Sequence, residues 1–124
     1  MPASFIPLAR QRELRDLTRQ RSQLGAEQTA VANRIQKLLE SANIKLGQVA
    51  SDVLGVSGRL MLQALADGEQ DAVKLAELAQ GKLKRKKELL RRALQGCLSE
   101  TQRWVLAELL ARLAELEVAL SRVE

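Results

Sequence analysis

The chain reads as an all-α protein, an extended helical segment with N- and C-terminal coiled-coil helices around short central helices. Three observations lead there. Apolar residues recur at intervals of three, four and seven along residues 8–43 and 99–124, the period of a helix face. Nothing alternates with a period of two over a useful length, so strands are not expected. The hydrophobic fraction is 46%, yet it includes one Phe, one Trp and no Tyr. A compact core normally uses several aromatic side chains, each burying a large area. Leu and Ala in their place suit helices that meet along narrow seams.

Residues 1–7 form a lead-in, with Pro7 near a helix start. Residues 8–43 predict one long helix. Leu17, Leu24, Val31 and Leu38 recur every seven residues, and Leu14, Arg21, Gln28 and Ile35 fill the companion seam positions. Polar residues in a seam lower its stability but fix register and partner number. Gly25 inside this helix costs about 1 kcal/mol relative to Ala, so the helix needs a partner to pack on. Residues 44–80 are punctuated by Gly47, Gly55, Gly58 and Gly68, which predicts short helices. Ser57 is a candidate cap for the helix carrying Leu60, Met61, Leu62 and Leu65; Gly68 is its stop, and Asp71 caps the next helix.

Residues 81–98 predict a basic helix. It carries Lys82, Lys84, Arg85, Lys86, Lys87, Arg91 and Arg92 against Glu88 alone, within a chain of net charge +5. Such a block is either a contact for phosphate or an acidic partner, or a solvated helix face. Its charge wraps the helix, and no aromatic residue is present to stack on bases. RNA or DNA binding through phosphates is therefore the nucleic-acid reading.

Gly96 is a natural stop, and Ser99 with Gln102 is a capping-box pair that opens residues 99–124. Leu106, Leu109, Leu113, Leu116, Leu120 and Val123 are spaced 3, 4, 3, 4, 3, an a/d seam expected to hold a homo-oligomer, a dimer, together. Trp104, Ala107, Ala111, Ala114 and Val118 form a second apolar face. Two faces imply two neighbours, one within the chain and one from another; the alternative is a monomeric bundle that buries both. The seam runs to Glu124 without a capping Gly, so the helix is expected either to be cut short or to continue in a longer protein.

The chemistry of most enzyme classes is missing. There is no His, and the single Cys97 can form no internal disulfide. A reducing, cytoplasmic setting of prokaryotic type, no cofactor and no metal site are expected. Ser51 and Ser57 have no histidine to activate them. Asp67, Glu69 and Asp71 cluster at a turn, where acids more often cap helices than bind metal. The glycines never form a phosphate loop or dinucleotide fingerprint. No apolar run approaches a membrane span, so no membrane association is expected.

Three stretches together resemble a known family. They are Ser4-Phe5-Ile6-Pro7 followed by Arg12-Glu13-Leu14-Arg15-Asp16-Leu17-Thr18-Arg19; Gln36-Lys37-Leu38-Leu39-Glu40 running into Ala42-Asn43-Ile44-Lys45-Leu46; and Val49-Ala50-Ser51-Asp52-Val53-Leu54-Gly55-Val56-Ser57-Gly58-Arg59. Their order and spacing resemble the middle region of the insertion-sequence "one-ten" family of transposases, the DEDD recombinases guided by a bridge RNA. The resemblance implies a helical, coiled-coil segment between a metal-binding RuvC-like domain and a domain with a serine nucleophile, both outside these residues. It therefore implies no catalytic residue here, and a truncated reading frame or an excised piece. The expected function is that of a non-catalytic transposase fragment acting in DNA recombination, a helical linker and dimerisation segment near bound nucleic acid. The alternative is a helical adaptor or regulatory module unrelated to transposition.

Overall fold

The computed structural model describes residues 8–48 and 54–123. The lead-in and residues 49–53 of the third stretch quoted above lie outside the described residues. Among the described residues there are five α-helices: α1 (Leu8–Ser41), α2 (Val56–Ala66), α3 (Ala72–Ala76), α4 (Lys87–Ala93) and α5 (Glu100–Val123). Two 3₁₀ stretches join them, Leu46–Gln48 after α1 and Gly81–Lys86 before α4. The fold is all-α, and no strand occurs among the described residues.

The two long helices pack antiparallel. Gln102 donates to the Ser41 hydroxyl at 3.2 Å at one end, and Arg112 reaches Glu27 at 3.1 Å farther along. Between these points α1 buries Leu24, Val31, Ile35 and Leu39, and α5 buries Leu106, Leu110, Leu113 and Leu116. The short helices close over this pair rather than stringing out beside it. Met61, Leu62 and Leu65 of α2, Leu75 of α3, and Leu90 and Leu94 at α4 join the same cluster. The extended arrangement expected from the sequence is thus replaced by one shared core. A helix of five or seven residues cannot stand alone in water, so α3 and α4 exist because that core receives them. Only α1 runs on past its partner: residues 8–23 are exposed apart from the half-buried Gln11.

Four of the helix ends have a visible cause. After α1, Asn43 adopts a left-handed conformation with φ 59°. The Ile44 N–H then reaches Leu39 O at 2.9 Å and the Asn43 N–H reaches Glu40 O at 3.0 Å. That is the paired bonding of a Schellman stop, with buried Ile44 and Leu39 as its apolar contact. Gly68, φ 106°, repeats the pattern after α2, with Glu69 N bonded to Ala64 O at 2.9 Å and Gly68 N to Leu65 O at 3.1 Å. Asp71 caps α3 by accepting from Val73 N at 2.9 Å. Ser99 and Gln102 exchange reciprocal bonds at 2.9 and 3.1 Å to open α5.

Ser57 is a correction. The residue preceding α2 is Gly55, and Ser57 lies inside the helix, 6% exposed. Its hydroxyl accepts from Gln80 N at 2.8 Å and donates to Gln80 O at 3.2 Å. A buried hydroxyl left unpaired is costly, and this exchange instead ties α2 to the turn before the basic segment. Gly96 also differs from its sequence reading, because closeness rather than a helix stop requires it. A β-carbon there would lie 2.4 Å from Ala42 O and 2.6 Å from Asn43 O. The link into α5 therefore rests directly on the turn that ends α1, and the Lys45 N–H bonds Ala93 O at 2.9 Å beside it.

Two glycines should respond oppositely to alanine. Gly96→Ala forces backbone apart and should destabilise by about 1–3 kcal/mol. Gly25→Ala meets nothing within 4 Å and should stabilise by up to about 1 kcal/mol. Urea denaturation of both variants checks this; equal midpoints would contradict the packing at Gly96.

Candidate nucleic-acid interface

The predicted basic helix is not one helix. Residues 81–86 wind as a 3₁₀ stretch, and the α-helical turns begin at Lys87. Charge favours the break. An α-helix starting at Lys82 would crowd its positive N-terminal end with cations, against the helix dipole. It would also stack like charges four residues apart, Lys82 on Lys86. Starting at Lys87 puts the acidic Glu88 in the first turn instead. Gly81, φ 61°, supplies the sharp entry.

The segment is anchored from below. Leu83 packs against the core, and Leu90 and Leu94 are completely buried. That anchoring turns the charged side chains outward to different degrees. Lys84, Arg85, Lys86 and Arg92 are exposed, whereas Lys87 and Arg91 are half-buried. Lys87 pairs with Glu77 at 2.9 Å and Arg91 pairs with Glu88. Lys84, Arg85 and Arg92 form no ion pair with another described residue. The side chain of Lys82 lies outside the described residues. Of the seven cations expected to act together, two are therefore partly committed to acids of the chain. Lys84, Arg85, Lys86 and Arg92 form a smaller exposed group on a segment held in place by its leucines.

The seam residues have a different fate. Leu106, Leu113 and Leu116 are buried by the chain's own α1, and Leu109, Leu120 and Val123 are half-buried. The surface expected to meet a second copy is filled within one chain. Leu110, outside the predicted seam, is 5% exposed and belongs to it. Spacing alone could not choose between the adjacent Leu109 and Leu110, since both continue a 3-4 pattern from Leu106. Sequence reasoning also missed the pair between Arg59 and Glu117, which ties α2 to α5 across 58 positions.

Other features offer less chemistry. A cleft of about 460 Å³ at the end of α1 is lined by Gln36, Leu39, Glu40, Asn43, Ile44, Lys45 and Gly47. Among the described residues no three His, Cys, Asp or Glu side chains converge as a metal site, and no helix is long and apolar enough to cross a membrane. Neither a protein-family model, nor a curated protein, nor a solved structure matches this chain.

Because Lys84, Arg85 and Arg92 are exposed and form no ion pair with another described residue, replacing all three by Gln should change folding stability by no more than about 0.5 kcal/mol per site. Thermal denaturation checks it, and a loss of several kcal/mol would mean that these cations hold the fold.

Proposed function

We propose that the chain is a helical linker from a DNA transposase, one that lies against nucleic acid and contacts its phosphates through the basic turn before and within α4. The observation that carries this reading is the display of Lys84, Arg85 and Arg92, exposed and without ion-pair partners among the described residues, on the 3₁₀ stretch and α4, which are anchored by Leu83 and Leu90. A cation already paired with a carboxylate must give up that partner to bind phosphate; these three need not. Held on a packed element, they also lose less side-chain and backbone freedom on binding than a flexible tail would. Contacts of this kind give affinity without base specificity. The transposase assignment itself rests on the resemblance of the three quoted stretches to the insertion-sequence "one-ten" family. The part assigned to the chain is positional, and the cleavage and joining steps belong to domains outside these residues.

The test is a titration against a structured RNA hairpin and a DNA duplex over a salt series. Affinity should fall steeply as salt rises. The Lys84→Gln, Arg85→Gln, Arg92→Gln variant should bind more weakly at low salt, with a salt slope reduced by about one for each phosphate no longer neutralised. Equal affinity and equal slope for the two proteins would make this turn a solvated surface and end the proposal.

A further inference from the structure

With its leucine face covered by α1, helix α5 still presents its second apolar face to water. Trp104 is 65% exposed and Val118 52%. Ala111 and Ala114 between them are exposed, and Ala107 is half-buried. This is the chain's one tryptophan, the side chain with the most apolar area to gain from a partner. We propose that this face pairs, in parallel, with the same face of a second copy of the chain.

The charges flanking the stripe argue for both the partner and its direction. In heptad terms Trp104, Ala111 and Val118 take the a positions, and Ala107 and Ala114 take d. The flanking g positions are then Arg103, Leu110 and Glu117, and the e positions are Glu108, Glu115 and Arg122. In a parallel pair each g residue meets the e residue five positions on in the other copy. That sets Arg103, half-buried with its guanidinium beside Gly68, against Glu108 of the second copy and Glu117 against its Arg122, with the buried Leu110 against Glu115. By the two-fold symmetry each attraction occurs twice, and no like charges meet at these flanks. An antiparallel pair centred near Ala111 would keep two attractions, Arg103 against Glu117, but would set Glu108 against Glu115 twice, whereas the parallel pair has four attractions and no such repulsion. Glu108 and Arg122 are exposed and make no ion pair with another described residue, so both are open to a partner. Glu117 already receives Arg59 but keeps 42% of its side chain exposed, and one carboxylate accepts from two guanidinium groups. Alanine at the centre lets the helices approach to about 8 Å, near enough for Trp104 of each copy to leave water. The pairing is independent of the phosphate contacts proposed above.

Sedimentation equilibrium over a concentration series, with Trp104 emission read alongside, tests it. The parent chain should form a dimer as concentration rises, with emission shifting to the blue. Ala111→Glu should raise the dissociation constant more than tenfold, about 1.4 kcal/mol, with an unchanged helical circular dichroism signal. Glu108→Lys, which places like charges against Arg103, is a second variant less able to disturb folding and should weaken the dimer about threefold. In a Cys97→Ser background, Ala114→Cys should cross-link to itself on oxidation, because equivalent d positions face each other in a parallel pair. A chain that stays monomeric at high micromolar concentration would overturn the proposal. So would a dimer that tolerates both Ala111→Glu and Glu108→Lys. A dimer in which the Ala114→Cys variant fails to cross-link would overturn its parallel direction.

Discussion

Ile35 on α1 and Leu106 on α5 lose all exposure to water in the seam between the two long helices, and the remaining elements take their places from that seam. Neither helix is stable on its own terms. α1 carries a mid-helix glycine and many charges, and α5 is apolar on two sides. Each supplies the surface that the other must cover. Once they pair, a trough remains beside them that α2, α3 and α4 fill with Met61, Leu62, Leu75 and Leu90, all fully buried. The basic turn is displayed outward because its leucines point into this trough.

The connections are as constrained as the core. The turn that ends α1 serves as its own stop, packs closely against the backbone at Gly96 and donates through the Lys45 N–H to Ala93 O at the end of α4. A long helix, a short helix and the start of α5 are thus fixed at one small junction. Ser57 does the same between α2 and Gln80 with two hydrogen bonds from one hydroxyl. Such junctions supply direction, whereas the leucines supply most of the free energy through area removed from water.

Much of this is legible in the residues. The all-α class follows from periodicity, and the stop at Gly68 and the caps at Asp71 and Ser99 follow from local chemistry that acts over two to five residues. The features that sequence misassigns share a cause: each depends on a distant partner or on competing charges. Ser57 resembles a cap because caps are local, but its partner lies 23 positions away. The leucine seam of α5 resembles an intermolecular one because a heptad repeat does not say which helix will cover it. The basic segment resembles one helix when its apolar spacing is weighed without the repulsion among its own cations. Of the candidate interface, the cluster of cations is visible in the sequence. Its division into paired residues such as Lys87 and exposed ones such as Arg92 is not, because Glu77 comes from a neighbouring element.

The central claim is that α5 is covered by α1 of the same chain. Ser41 and Gln102, whose side chains meet at 3.2 Å, offer the most direct test. With cysteines at these two positions in a Cys97→Ser background, oxidation of an equal mixture of light and ¹⁵N-labelled chains should give a cross-link within single chains, of unmixed isotope mass, at every protein concentration. Cross-linked species of mixed mass, increasing with concentration, would show that the leucine seam is filled by another copy and would contradict the account.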